Sequence, residues 1–146
     1  KSNVSEEELQ ELWQDASIAV MPSEVEGYGQ ALAEAMCFGA VVITTDAPPM
    51  NELVNDNRGY LVPYSETGRF RLGTRYRVST ADLEQAVSAA LEDSSERRKQ
   101  KGSNARDWAK ANHKTFISRL SYFLNSIAPV PDKATRHIYL RTVDRS

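Results

Sequence analysis

Short apolar runs alternate with longer mixed segments along the first two thirds of the chain. Ser5-Glu6-Glu7-Glu8 has the capping-box spacing, in which a Ser hydroxyl and a Glu three residues on each satisfy a free backbone donor. It predicts a helix with Leu9, Leu12, Trp13 and Ala16 on one face. Ile18-Ala19-Val20-Met21, stopped by Pro22 and Ser23, predicts a short buried strand. From Gln30 to Phe38 there is no helix breaker, strong helix formers dominate, and Gly39 follows, so a helix is expected there. Ala40 to Thr44, rich in β-branched residues, predicts a second strand. Ala47-Pro48-Pro49-Met50 cannot continue a ladder and is expected as a loop, before an extended segment from Gly59 to Pro63. Strands alternating with helices point to an α/β fold with a parallel sheet.

The second half has a different texture. Residues 64–78 carry Arg69, Arg71, Arg75 and Arg77 among Phe70, Leu72 and Tyr76. The pattern fits a basic loop that contacts phosphates or nucleic acid, or a short exposed hairpin turning at Gly73; solvated surface is the commoner use of such arginines. Ser79 or Thr80 caps the next expected helix, with Leu83, Ala86, Val87, Ala90 and Leu91 inward. A polar helix is predicted over Ser95–Ala111. Another, after Asn112, covers Lys114–Ile127 with Phe116, Leu120, Phe123, Leu124 and Ile127 apolar. Residues 129–146 open with Pro129-Val130-Pro131, end polar and basic, and fit a tail or linker.

Composition narrows the class. The 146 residues are 40% hydrophobic and 26% charged, which suits one soluble globular domain. Net charge is only −2, yet residues 1–65 hold two basic residues against eleven acidic ones, and the remainder sixteen against nine. Complementarity within the chain plus solvated surface accounts for this split more simply than a dedicated partner. Cys37 is the single cysteine, so an intramolecular disulfide is excluded and a reducing, cytoplasmic setting is expected. Between Met36 and Phe38 it is expected in the core rather than as a nucleophile. His113 and His137 are far apart and no Cys/His spacing fits zinc, so no metal site is expected. No 18-residue apolar run is present.

The chemistry concentrates in PSEVEGYGQALAEAM, residues 22–36. Glu26 and Glu34 bracket Gly27-Tyr28-Gly29 at the expected start of a helix. A helix N-terminus offers unpaired N–H groups and partial positive charge, which suits a phosphate, and glycines let a ligand approach the backbone. Glu34 lies about five residues into the helix, roughly 7–8 Å along its axis, a reach that suits a ribose diol beyond a diphosphate. Favourable charges against the helix dipole are the bland alternative for a lone pair of glutamates.

This stretch resembles the signature of retaining glycosyltransferases with two facing Rossmann-like domains (the GT-B architecture), family 4 in particular. Their C-terminal domain carries Pro-Ser-x-x-Glu-Gly-Phe/Tyr-Gly followed by Glu-Ala-Met, as in Pro22–Gly29 and Glu34-Ala35-Met36 here. Residues 4–21 resemble the preceding helix and strand, residues 39–63 the following strand, loop and Gly-x-Leu-Val-Pro segment, and residues 79–128, less specifically, the closing helices. The resemblance implies a parallel Rossmann-like sheet flanked by helices, the C-terminal part of a donor domain. Residues 1–128 would form this partial domain and 129–146 a tail or linker. It implies transfer of a sugar from a nucleotide diphosphate-sugar to a hydroxyl of a glycan, lipid or other acceptor, with retention of anomeric configuration. Glu34 would hold the ribose hydroxyls, and Glu26 the donor sugar as the catalytic-site carboxylate. Whether Glu26 is nucleophile, electrostatic support or sugar anchor stays open.

By the same resemblance the amides of Gly27, Tyr28 and Gly29 would lie against the diphosphate or sugar. For Tyr28 a lid on the core competes with a sugar contact. Gln30 stands where the family has an aliphatic residue and adds a polar group toward the donor; Val41 stands where proline is frequent. Asp46 and Glu52 fall near the same cleft without an assigned step. No cofactor or metal is implied, since the nucleotide-sugar is a substrate, and no nucleic acid. The donor domain's first strands, its basic Arg/Lys pair and the acceptor-binding N-terminal domain are not found in this sequence, so a fragment is expected, inactive alone. Peripheral membrane contact of the full-length enzyme is kept open. Two rival readings remain: a module that binds nucleotide-sugars without turnover, and a structural or interaction piece using its basic second half.

Overall fold

A computed structural model describes residues 4–71 and 73–127. The chain divides into two units, Lys1–Lys110 and Ala111–Ser146. The tail expected over 129–146 lies outside the described residues, and so does His137.

The first unit is α/β. Helix α1 (Glu6–Asp15) opens on the capping box, with Ser5 Oγ accepting from Glu8 N and Ser5 N donating to Glu8 Oε2. Strand β1 (Ile18–Met21), helix α2 (Gln30–Phe38), strand β2 (Val41–Thr45), the single turn α3 (Met50–Leu53) and strand β3 (Gly59–Val62) follow. The three strands pair in parallel in the order β1-β2-β3, with Ile43 opposite Val20 and Tyr60. Every residue of β2 is buried, as expected of a strand covered on both faces. Side-chain alternation sends Val42 to one cluster with Leu32, Ala35, Met36, Met50 and Ala105. It sends Ile43 to the other, with Val62, Ala90 and partly buried Leu83, Ala86 and Val87. The sheet is thus a Rossmann-like layer between helices, the class the sequence pattern predicts. Each fully buried Leu, Ile or Met contributes about 1.5–3 kcal/mol.

Residues 64–78 take the hairpin alternative. Antiparallel strands β4 (Ser65–Phe70) and β5 (Gly73–Arg77) close with Phe70 opposite Gly73 and a bulge near Gly68. Helix α4 (Thr80–Glu92) is capped by Ser79, whose hydroxyl oxygen accepts from Asp82 N.

Several expectations are corrected. Helix α5 runs unbroken over Ser95–Ile127, so Asn112 does not divide it. Asparagine is only a moderate helix weakener, and no Gly or Pro lies nearby to stop the ladder. On α1, Leu12 is 59% exposed and Leu9 is also exposed; Trp13 and Ala16 alone of that face reach the core. On α4, Leu91 is 64% exposed, one position past the buried Ala90. Cys37 is exposed rather than core, because α2 buries Leu32, Ala35 and Met36 and turns the next position outward. Partial burial, then the Glu34 carboxylate, push its thiol pKa up against the opposing pull of Lys110, so it stays a poor nucleophile.

The basic second half meets the acidic first half mainly at carbonyl oxygens. Lys101 donates to Asp56 O and Gly59 O, Asn104 to Asn57 O, and Arg106 to Phe38 O at the end of α2, where positive charge is favoured. A methyl added at Gly102 would lie 2.3 Å from Gly39 O, so α5 passes against the backbone ending α2. In the second unit, Phe116, Leu120, Tyr122, Phe123, Leu124 and Ile127 are all exposed.

Candidate functional site

The loop between β1 and α2 leaves the sheet at the carboxyl end of β1, where open α/β sheets place their ligands. It is held from β2. Thr44 Oγ1 donates to Met21 O and Thr45 Oγ1 donates to Ser23 O, each at 2.8 Å, and both threonines are wholly buried. Ser23 N also donates to Met21 O, tightening the exit from the strand. Sequence reasoning missed this pair of threonines. Their only signal was two polar residues ending an apolar run.

Within the loop, Ser23 Oγ donates to Glu26 Oε1 at 2.9 Å, fixing a half-buried carboxylate. A hydrogen bond to a charged group of this kind is worth about 1.5–3 kcal/mol. Gly27 and Tyr28 are exposed, Tyr28 by 58%. Gly29 is buried at the N-cap of α2 with φ 84°, and no side chain caps the helix. The first-turn amides therefore have no side-chain acceptor, and no acidic residue occupies that turn. The two glycines differ. A methyl at Gly29 would press on Leu53 Cδ1 at 2.6 Å and Leu32 Cδ1 at 2.7 Å, whereas at Gly27 it would meet nothing within 4 Å.

One turn further along α2, Gln30 Nε2 donates to Glu34 Oε1 at 2.8 Å. Gln30, expected to reach toward a ligand, here orients the second glutamate. Glu26 precedes the helix tip and Glu34 follows it, so the tip lies between two carboxylates in chain order. Asp46 and Glu52, both exposed, stand beyond the end of β2, where Asn51 Nδ2 donates to Asp46 Oδ1 at 3.1 Å.

The hairpin also reaches this loop. Tyr76 N donates to Glu24 O at 2.9 Å, and the Glu24 carboxylate pairs with Arg77 Nε at 3.3 Å and Arg75 Nε at 3.6 Å. Among the described residues no three of His, Cys, Asp and Glu come together to hold a metal ion. No helix among them is long and apolar enough to cross a membrane.

No curated protein sequence matches the chain. The family of glycosyl transferases group 1 matches residues 1–108, a span that holds the parallel sheet, the loop with Glu26, helix α2 with Glu34, the hairpin and α4. The three-stranded parallel sheet and the uncapped tip of α2 lie within the span that this family matches, and the chain belongs to the glycosyl transferases group 1.

Proposed function

We propose that the chain forms the nucleotide-sugar site of a retaining glycosyltransferase, as the C-terminal part of its donor domain. Family membership implies a sugar donor and an acceptor. In this reading the α2 amides and the Gly27–Gly29 backbone receive the diphosphate, Glu34 accepts from the ribose hydroxyls, and Glu26 faces the donor sugar. Tyr28 and Gln30 border the same ligand. The observation that carries the reading is the uncapped start of α2, open at Gly27 and flanked by two carboxylates that other side chains already orient. Charge builds on the diphosphate as the glycosidic bond breaks, and fixed amides aimed at that charge lower the barrier. The acceptor, a glycan, lipid or other hydroxyl compound, is supplied from outside this unit, and no cofactor is assigned.

Calorimetric titration of the chain with UDP, GDP and ADP tests this directly. Replacing Glu34 by Ala removes a charge-assisted hydrogen bond of about 1.5–3 kcal/mol and weakens binding roughly 10- to 150-fold. Equal affinity in the wild type and Glu34→Ala would overturn the role of Glu34.

A further inference from the structure

The β4–β5 hairpin contributes little to the core. Every residue of β4 is exposed, and from β5 only Tyr76 packs, partly buried, against the cluster under the sheet. Its polar attachments to the rest of the unit converge instead on Glu24, two residues before Glu26. The backbone of Glu24 accepts from Tyr76 N, and its carboxylate accepts a hydrogen bond from Arg77 Nε and forms a longer ion pair with Arg75 Nε, which is not hydrogen-bonded. Next to it, Val25 Cγ1 lies 3.8 Å from where a methyl on Gly73 would sit, so β5 runs alongside residues 24 and 25.

The hairpin is itself stiffened. Tyr64 and Tyr76 meet edge to face with ring centroids 4.8 Å apart, and the Arg75 guanidinium rests 5.1 Å from the Phe70 ring centroid. Arg75 is thus held from the ring side while it reaches Glu24. We propose that the hairpin braces the donor loop and that Glu24 is a positioning residue, holding Glu26 in the geometry that meets the donor sugar; this rests on the reading given above.

Two physical effects support that role. A loop already fixed in its binding geometry loses less conformational entropy when ligand arrives. Glu24 would otherwise place an unpaired negative charge beside a site for a diphosphate, and two guanidinium groups against one carboxylate reverse that local sign. Glu26 is held directly by the Ser23 hydroxyl, three residues before it, and the braced Glu24 lies two residues before it in the same loop. Bare diphosphate recognition, assigned to the start of α2, lies downstream of the brace. Loss of the brace should therefore act on the sugar more than on the nucleotide.

The test uses the whole chain as wild type, Glu24→Ala, Glu24→Asp and the double variant Arg75→Ala with Arg77→Ala. Glu24 is exposed, so its replacement leaves the thermal midpoint near that of the wild type. Amide hydrogen exchange over residues 22–29 is expected to speed up in Glu24→Ala and the double variant, with β1, β2 and β3 unchanged, and to return toward wild type in Glu24→Asp. Calorimetry with UDP, GDP and ADP and with their hexose conjugates gives the second readout. The affinity gained from the sugar falls roughly two- to tenfold, while that for the bare diphosphates changes less than about twofold. Unchanged exchange in the loop, or equal weakening for conjugate and bare diphosphate, overturns the brace. A wild-type chain that binds none of these compounds overturns the donor reading, and the role for Glu24 toward the sugar falls with it.

Discussion

Gly27 and Gly29, two residues apart, answer to different demands. Gly29 sits at φ 84°, a conformation that costs an L residue about 1–2 kcal/mol, and any side chain there displaces Leu53 and Leu32. Gly29→Ala is therefore expected to lower unfolding free energy by about 1–3 kcal/mol in urea titrations. Gly27 has open space around its Cα and no such constraint. Gly27→Ala should leave the urea midpoint unchanged while weakening UDP, GDP or ADP binding, because a methyl group enters the approach to the helix tip. A stability loss at Gly27 comparable to that at Gly29 would contradict this division. The need for glycine in this motif is legible in sequence; which glycine serves the fold and which leaves room is not. That distinction depends on Leu53, 24 positions further along the chain.

Where elements meet, two junctions make sharper statements. Two turns into α5, Gly102 faces the carbonyl of Gly39, a backbone atom that cannot swing aside. Gly102→Ala forces the helix away from α2 and should cost about 1–3 kcal/mol, read as a lower thermal midpoint. Between β3 and α4, Tyr60 Oη donates to Asp93 Oδ2 at 2.6 Å. Burial, then this hydrogen bond, raise the Tyr60 pKa from 10.0 to about 12, because both favour the neutral phenol. The contribution is complete below pH about 10 and disappears as pH climbs toward about 12, and Tyr60→Phe should flatten that alkaline limb. The Asp93 carboxyl is held below its usual range, by the Tyr60 hydrogen bond foremost and with help from Arg97. Its contribution is present at neutral pH and is lost as pH falls through that lowered value, so Asp93→Asn should blunt the acid limb. Stability followed by circular dichroism from pH 2 to 12 checks both signs.

Locally encoded elements were the legible ones. The Ser5 capping box, the Ser79 cap and the β-branched run of β2 are each settled within a few residues, and each forms as expected. Contacts across long separations were not legible. Nothing in Thr44 and Thr45 announces that their hydroxyls hold the loop some twenty residues earlier, nor does Glu24 announce two arginines more than fifty positions away. The continuity of α5 through Asn112 was not legible either, because the backbone ladder tolerates asparagine.

At the scale of the whole molecule, the unit Lys1–Lys110 contains the sheet, both apolar clusters and every candidate site residue. A chain ending at Lys110 should retain a cooperative unfolding transition. The exposed row from Phe116 to Ile127 belongs to the other unit, and apolar surface of this kind favours association. Sedimentation is expected to show concentration-dependent association of the full chain and less of it for the shortened one. Equal behaviour of the two would remove that face as the cause.

Thr44 and Thr45 are adjacent on β2, so their side chains leave opposite faces of the sheet, yet both end on the chain as it passes the tip of β1. The strand exit is gripped like a thread between two fingers, and the grip uses only the carbonyls of Met21 and Ser23. Residues 24–28 are left out of it. The register of β1, β2 and β3 uses none of that segment, so exchanging it together with the hairpin that clasps Glu24, as one cassette, should leave the parallel sheet intact.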